Sequence, residues 1–240
     1  MEIISLLLPT RQRPRQLARL VNSVDCTARR PDLIEIVTYI DDDDPSYDDL
    51  ALPVEWVKVR GPRHHDGLVN LSVKWNECYA ACSGDIIMHC GDDIVFRTDH
   101  WDDVVRGAFP PDRIAFVFGD DGYQTGNNFG THGFIHRKWI DAVGYLFPPL
   151  FVSDFNDTFL NDVSKRIGRH FEVPIFTEHM HYICGKAEID QNTRERLERH
   201  NAHRPQDIYY GEEGQAMLRD AISRLRRYID SHSQKSKKST

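Results

Sequence analysis

Short apolar runs alternate with stretches of helical periodicity along the first half of this chain. Leu17, Leu20, Val21 and Val24 recur three and four residues apart after Pro14, a residue that suits a first helical turn. Strand-like runs lie at residues 3–9, 33–40, 54–59, 86–90 and 113–120, with a further one at 131–137. Because strands that alternate with helices usually pair in parallel, the pattern predicts an α/β fold, with a mostly parallel sheet and helices on both faces.

The remaining patterns predict helices and the boundaries of the chain's parts. A second helix is expected from Leu68 to Cys82, with Gly84 as its C-cap, and further helices near residues 100–108, 137–144 and 154–167. From residue 188 onwards the sequence is polar, charged and mostly helical in pattern. We therefore expect a domain over residues 1–187, a helical C-terminal extension over 188–230 packed on it, and a disordered basic tail over 231–240.

Composition limits the class of protein. The 240 residues suffice for one large domain with its own core. The five cysteines show no paired spacing, which fits a reducing cytosol better than a disulfide framework. The apolar start is too short for a membrane span and lacks the basic flank of a signal peptide, so we expect a cytoplasmic protein without a membrane partner. A formal net charge of −7 argues against bulk coating of nucleic acid, although local basic patches could hold phosphates.

Polar chemistry follows three of the predicted strands. The first strand leads into Thr10, Arg11 and Arg13, the second into four consecutive aspartates at 41–44, and the fourth into Asp92 and Asp93. Ligands of open α/β sheets bind beyond the carboxyl ends of the strands, so neighbouring strands would bring these groups to one crevice. Neither a G-x-G-x-x-G fingerprint nor a Walker loop occurs, which removes the main support for dinucleotide and P-loop interpretations.

Two acidic groups in this crevice have a functional and a plain interpretation. Asp92 and Asp93 end an apolar run, and carboxylates at a strand end suit Mg²⁺ or Mn²⁺, although a surface turn would also explain them. One of Asp41, Asp42 and Asp43 could accept hydrogen bonds from a nucleobase or ribose. The alternative is a solvated turn with an aspartate as a helix cap.

For the arginines, and for the aspartates and histidines further along the chain, residue type alone also allows two interpretations. Arg11, Arg13, Arg60 and Arg63 suit phosphate recognition or plain surface charge. In the segment 152–169, Asp154 and Asp157 could supply a general base or merely cap a helix. Further on, His179, His181 and Cys184 lack the second ligand pair of a zinc site. One histidine that completes an oxygen-rich metal site fits better, with a structural histidine as the alternative.

Taken in order, five segments resemble a family 2 glycosyltransferase with the GT-A fold. The likeness rests on order and spacing over about residues 3–190, which are more specific than any single motif. The segments are LLLPTRQRPRQLARLVNSV, YIDDDDP, LVNLSVKWNECYAACSGDIIMHCGDDIVF, HGFIHRKWIDAVGYL and NDTFLNDVSKRIG. The chain is similar to the compact, stand-alone members found in bacteriophage genomes, which would place it in a host cytoplasm.

The resemblance implies roles for individual residues. Asp93 would bind the metal and Asp92 the ribose or the metal, with His179 or His181 completing the site. Asp157 would deprotonate the acceptor. The donor nucleotide would be held by residues from several loops, namely Thr10, Arg11, Arg13, Asp41, Asp42, Asp43, Arg63 and Asp92.

Two departures from the family pattern affect these roles. The first Asp of the family's Asp-x-Asp-Asp element is Cys90 here. The Glu before the catalytic Asp is Asn156, which leaves Asp154 as a rival base.

The resemblance implies an inverting glycosyltransferase that needs Mn²⁺ or Mg²⁺ and a nucleotide-sugar, with a UDP-sugar as the expected donor. The leading acceptor is a hydroxymethylated base in phage DNA, with arginines of the last quarter and the loop 123–129 available for phosphate and stacking contacts. A cell-surface glycan or a protein is the alternative acceptor. A nucleotidyltransferase and a non-catalytic nucleotide or nucleic-acid binding module are the alternative functions.

Overall fold

A computed structural model describes residues 1–152 and 154–237 of the chain. Within them, eight strands and eight α-helices follow one another along the sequence. The strands are β1 (Ile4–Thr10), β2 (Ile34–Asp41), β3 (Glu55–Gly61), β4 (Ile86–His89), β5 (Ile94–Phe96), β6 (Phe116–Asp120), β7 (Gly133–His136) and β8 (His170–His179). The helices are α1 (Pro14–Thr27), α2 (Leu71–Ala81), α3 (Trp101–Ala108), α4 (Arg137–Val143), α5 (Asn156–Ile167), α6 (Gln191–His203), α7 (Pro205–Tyr210) and α8 (Glu212–Lys237).

The strands form one sheet in the order β3-β2-β1-β4-β7-β6-β8-β5. Strands β3, β2, β1 and β4 are parallel, and so are β6 and β8. Strand β7 runs antiparallel to both β4 and β6, and β5 runs antiparallel to β8. The predicted α/β class with a mostly parallel sheet is confirmed, and β2, β1 and β4 are neighbours whose carboxyl ends meet at one edge.

Successive residues of the inner strands bury their side chains on opposite faces of the sheet. Leu6 and Leu8 join one core together with α1 and α3, whereas Leu7 joins a second core with α2, α4, α5 and α8. This alternation follows from the two-residue period of a strand, and it explains why β1 is apolar throughout. The helices therefore lie on both faces, as the sequence predicts.

Some local predictions differ from the structure. Helix α2 begins at Leu71 after the N-cap Asn70, and it ends at Ala81 with Cys82 in an extended conformation. Gly84 is therefore not its C-cap. Its small size serves a close approach instead, because a Cβ there would lie 2.1 Å from Ser5 Oγ and 2.9 Å from Ser5 N. Strands β5 and β8 were not expected from the sequence.

The C-terminal helices belong to the same packed body as the sheet. Leu218, Ala221 and Leu225 of α8 are fully buried in the core that contains α5. Helix α8 continues to Lys237, so the first part of the segment expected to be disordered is helical, and residues 238–240 lie outside the described residues. In residues 1–152 and 154–237, no helix combines the length and the apolar character needed to cross a bilayer.

Candidate active site

A cleft of about 630 Å³ opens at the edge where β1, β2 and β4 end. Most of the residues selected from the sequence line it, namely Thr10, Arg11, Arg13, Asp41, Arg63, Asp92, Asp93, Asp154, Asp157, His179 and His181. Asp42 and Asp43 do not line the cleft and are exposed to solvent. The structure thus brings together groups that are up to 171 positions apart, from Thr10 to His181.

Both oxygens of Asp92 are occupied by neighbouring side chains. Thr10 Oγ1 donates to Asp92 Oδ2 at 2.7 Å, and Arg13 Nη1 donates to Asp92 Oδ1 at 3.1 Å. Burial raises the pKa of Asp92 to about 6, in spite of the opposing charge of Arg13. Arg13 is therefore the cation that compensates this buried acid, and the bond between Thr10 and Asp92 connects the ends of β1 and β4.

Asp93 faces the cleft and a group of histidines instead. Its Oδ2 lies 3.4 Å from His179 Nε2, and His179 Nδ1 lies 3.7 Å from Asp121 Oδ2. Burial acts to lower the pKa of His179, but the carboxylates of Asp121 and Asp93 raise it to about 9. Burial acts to raise the pKa of Asp93, but the contact with His179 holds that pKa well below the usual range.

Asp93, His132 and His179 are the group in the described part of the chain whose ligand atoms lie close enough for a metal ion, within 4.8 Å of one another. Burial lowers the pKa of His132 to about 3, so its imidazole is neutral and can donate an electron pair to a metal. Sequence reasoning missed His132 and Asp121. The available signal was the position of His132, directly before the short apolar strand β7.

His181 is placed differently from His179. Its Nδ1 accepts a hydrogen bond from Ile183 N at 3.3 Å, and its ring lies beside Tyr123, with 5.2 Å between ring centroids. Of the two histidines that the sequence left as alternatives, His179 is the one next to Asp93. His181 still lines the cleft but is not in the Asp93 group.

The four aspartates that follow β2 have separate environments. Asp41 is buried, forms an ion pair with Lys74 in the cleft, and accepts from Arg11 Nη1 at 3.1 Å. Asp43 pairs with Arg11 at the surface. Asp44 caps the short turn that follows and accepts from Gln12 N at 2.7 Å. Asp41 is therefore the member of this run that a ligand in the cleft would reach.

Asp157 and Asp154 lie at the start of α5 and differ in charge environment. Burial raises the pKa of Asp157, whose carboxylate accepts from the backbone N and the hydroxyl of Thr158 at 2.7 and 3.3 Å. Asp154 accepts from Arg196 Nη2 at 2.6 Å and lies 3.0 Å from His200 Nδ1. Although burial opposes it, Arg196 lowers the pKa of Asp154. A carboxylate with a raised pKa is the better proton acceptor, which favours Asp157.

Helix α6 and the residue before it cover one side of the cleft with polar contacts. Asp190 accepts from Arg13 Nε and Nη2, each at 2.7 Å, and Glu195 forms an ion pair with Arg63. Asn192 Nδ2 donates to Arg11 O at 2.5 Å. The guanidinium groups that were expected to bind phosphate therefore also hold the C-terminal segment in place.

Comparison with known proteins relates the fold to solved structures. Neither a family model nor a curated protein sequence matches the chain. A mannosyltransferase from Pyrobaculum calidifontis, solved with GDP-Man and Mn²⁺, is 12% identical with a TM-score of 0.58, and the match covers 95% of this chain and 75% of that one. Residues 1–349 of S. aureus TarS match at a TM-score of 0.51 with UDP bound, with 13% identity over 95% of this chain and 82% of that one.

A second TarS complex, with UDP-GlcNAc, matches at a TM-score of 0.52 and 12% identity, over 92% of this chain and 72% of that one. At such low sequence identity, these similarities are evidence for the fold alone. They show that the chain has the GT-A fold of these glycosyltransferases.

Proposed function

We propose that the chain is a metal-dependent glycosyltransferase that moves a sugar from a nucleotide-sugar, preferably a UDP-sugar, to an acceptor hydroxyl with inversion. One observation carries the proposal. Asp157, an acid of raised pKa, lines the same cleft as the Asp93, His132 and His179 group, in a fold shared with a mannosyltransferase bound to GDP-Man and Mn²⁺.

The donor would lie along the ends of β1 and β2. Asp41 would accept hydrogen bonds from the nucleoside, and Arg11 and Arg13 would face the diphosphate from the first loop. Thr10 and Asp92 would fix the position of Arg13, because both belong to its hydrogen-bonded group. The solved neighbours carry GDP-Man, UDP and UDP-GlcNAc, ligands of the class proposed here.

The residues present fit a divalent cation, because ligand atoms of Asp93, His132 and His179 lie within 4.8 Å of one another and His132 Nε2 is buried without a hydrogen-bond partner in the described part of the chain. A cation held by Asp93 and His179 would supply Lewis-acid stabilisation of the charge on the departing diphosphate. Arg13 would add a fixed positive charge on the same side. Asp157 would accept the proton of the acceptor hydroxyl as that oxygen attacks the anomeric carbon from the side opposite the leaving group, which inverts that centre.

For the acceptor we propose a hydroxymethylated base in phage DNA. A groove of about 580 Å³ on α5 and α8 supports this choice, because Arg166, Arg219, Arg226 and Arg227 line it. Asp230 is the one acid among the groove residues, and Arg226 and Arg227 donate only to Arg166 O and Ser223 Oγ, each at 2.8 Å, so the excess positive charge would attract phosphates. Transfer of label to hydroxymethylated duplexes but not to unmodified ones would support this acceptor, and transfer to a glycan or protein alone would contradict it.

The first experiment measures the melting temperature with UDP, GDP, CDP or ADP, each with Mn²⁺ and again with a chelator. A ligand at about a hundred times its Kd stabilises the folded state by about 2.7 kcal/mol, which is a shift of several degrees for a chain of this size. We expect such a shift with one nucleotide, UDP first, and its loss on chelation. No shift with any of the four would contradict the proposed donor site.

A further inference from the structure

We infer that three arginines beside Asp157 form an anion subsite that binds a phosphate group of the acceptor. They are Arg63, Arg196 and Arg199. The use of this phosphate in the reaction rests on the proposed function, whereas the binding of an anion here does not. The inference adds a requirement to the acceptor, which must carry a phosphate close to the hydroxyl that receives the sugar. In DNA, the phosphodiester next to the modified nucleotide would meet this requirement.

Helix α6 and the loop after β3 contribute the three arginines. Arg196 and Arg199 of α6 are three positions apart, and side chains at this spacing are neighbours on the surface of a helix. Arg63 comes from the loop after β3 and reaches the same helix through its ion pair with Glu195. All three arginines line the cleft, together with Asp157. Two separate elements therefore bring positive charge to one part of the cleft.

Two N–H donors in this cluster are buried without a partner. Arg63 Nε and Arg199 Nε have no hydrogen-bond partner in the described part of the chain. Buried polar atoms are almost always paired, because an unpaired one loses the hydrogen bonds that water would supply. A ligand with several oxygen acceptors, bound in the cleft, would satisfy both donors.

The charges of the cluster are not balanced. Glu195 pairs with Arg63, and Asp154 accepts from Arg196 Nε and Nη2 at 3.1 and 2.6 Å. Burial and the positive charges of Arg63 and Arg196 lower the pKa of Arg199. The carboxylates of Glu195 and Asp154 act against this shift without reversing it. The positive charge of Arg199 is therefore undercompensated in the free chain, and a bound anion would compensate it.

The cluster lies next to the proposed base. Burial is the main cause of the raised pKa of Asp157, the negative charge of Asp154 adds to it, and the positive charge of Arg196 opposes it. Both groups are thus close enough to act on the carboxylate that would receive the proton of the acceptor hydroxyl. An acceptor with its hydroxyl at Asp157 would bring a neighbouring phosphate to these arginines.

The subsite lies further along α6 than the group proposed to face the donor diphosphate. Arg13 Nη2 donates to Asp190 Oδ1 at 2.7 Å and to Thr193 Oγ1 at 3.0 Å, at the start of α6. Arg199 follows Thr193 by six positions, which corresponds to about 9 Å along a helix at about 1.5 Å per residue. The cluster is therefore placed for a second phosphate, one that belongs to the acceptor.

The residue type indicates phosphate as the anion. The planar guanidinium group donates two parallel hydrogen bonds to phosphate oxygens, and it keeps its charge when it is partly buried. Several such groups from two elements suit a tetrahedral phosphate, whose oxygens point in different directions. Contacts to phosphate position a nucleic acid on a protein without reading its sequence. A contact of this kind would fix the modified nucleotide relative to Asp157.

The test compares two dinucleotides with the same hydroxymethylated cytosine. One has a single phosphodiester, and the other has an uncharged methylphosphonate in its place. Calorimetric titration in the presence of UDP and Mn²⁺ should show that the charged dinucleotide binds about 10- to 100-fold more tightly, the range of a charge-assisted hydrogen bond. Arg199→Gln should remove most of this difference. Arg194→Gln is the matched control and should keep it, because this exposed arginine of the same helix does not line the cleft.

Two further measurements distinguish binding from a structural role. Arg199→Gln removes an undercompensated charge, so the melting temperature of the free chain should stay the same or rise. A lower melting temperature would show that Arg199 stabilises the free chain and would contradict the inference. In a steady-state assay, Arg199→Gln should raise the KM of the charged acceptor while kcat and the KM of the donor stay as they are. Arg199→Lys, which keeps the charge but lacks the planar fork, should retain part of the preference.

Equal affinities of the original chain for the two dinucleotides would overturn the inference. An equally large loss of UDP affinity in Arg199→Gln would also overturn it, because the cluster would then bind the phosphates of the donor. UDP binding is therefore measured separately, without a dinucleotide. A chain that prefers the charged dinucleotide through Arg199 but binds no nucleotide and transfers no sugar would keep the anion subsite and contradict the proposed function. Sugar transfer with equal efficiency to both dinucleotides would do the reverse.

Discussion

The side-chain amide of Asn161 forms hydrogen bonds with both the backbone N–H and the backbone C=O of Gly130. Asn161 Oδ1 accepts from Gly130 N at 2.9 Å, and Asn161 Nδ2 donates to Gly130 O at 2.8 Å. The same Nδ2 donates to Asp157 O at 2.8 Å. Because Gly130 lies two residues before His132, one buried amide connects the loop of His132 to the first turn of α5, which carries the proposed base.

Replacement of this amide should affect both sides of the site. Asn161→Ala leaves the N–H of Gly130 buried without its partner, so we expect a loss of about 1–3 kcal/mol in the free energy of unfolding. Metal affinity should fall as well, since the His132 loop loses its anchor. Chemical denaturation and calorimetry measure the two effects. Asn127→Ala, which removes an exposed amide from the same loop, should change stability by less than about 0.5 kcal/mol.

Asp157→Asn should separate activity from stability. We expect turnover to fall by about 10²- to 10⁴-fold, since the general base is lost, while nucleotide binding persists. Because the folded-state pKa of Asp157 is raised, ionisation at neutral pH opposes folding, and the amide should raise the melting temperature there. Asp162→Asn on the same helix is the control for activity. Full turnover in Asp157→Asn would exclude the base assignment.

The pH profile of kcat/KM should carry the signature of Asp157. A base must be ionised in the free enzyme, and burial raises the pKa of Asp157, so the acidic limb should lie above the range of an ordinary aspartate. The negative charge of Asp154 raises that pKa further. Asp154→Asn should therefore move the acidic limb to lower pH. An unchanged limb would show that another group controls it.

Two glycines should respond to alanine in opposite directions. A Cβ at Gly119 in β6 would lie 2.3 Å from both the backbone O and the Cγ1 of Ile175 in β8, so Gly119→Ala must separate paired strands and should lower stability markedly. Gly107 in α3 has nothing within 4 Å of such a Cβ, and Gly107→Ala should stabilise by about 0.5–1 kcal/mol. Urea denaturation of the two variants compares them directly, and equal effects would contradict the packing argument.

The sequence determined the elements whose signals are local. Helix α1 and strands β1 and β2 could be predicted because the periodicity of their apolar residues repeats within a few positions. The cleft was also predictable, since adjacent parallel strands bring their carboxyl ends to one edge. The predicted C-cap at Gly84 was wrong, because the sequence alone does not distinguish a glycine required for close approach to Ser5 from a glycine that ends a helix.

Only the tertiary structure decided which residues act together. In the structure, Asp92 accepts hydrogen bonds from Thr10 and Arg13, whereas Asp93 lies next to His179. His132 and Asp121 lie beside the same histidine. Strand β5 pairs with β8 across some eighty residues, and β8 also pairs with β6, so short sequence windows do not contain the information that defines these strands. Asp93, His132 and His179, which come from three separate segments, follow the same rule. Their proximity is a property of the sheet order, and sheet order depends on contacts between parts of the chain that are far apart in sequence.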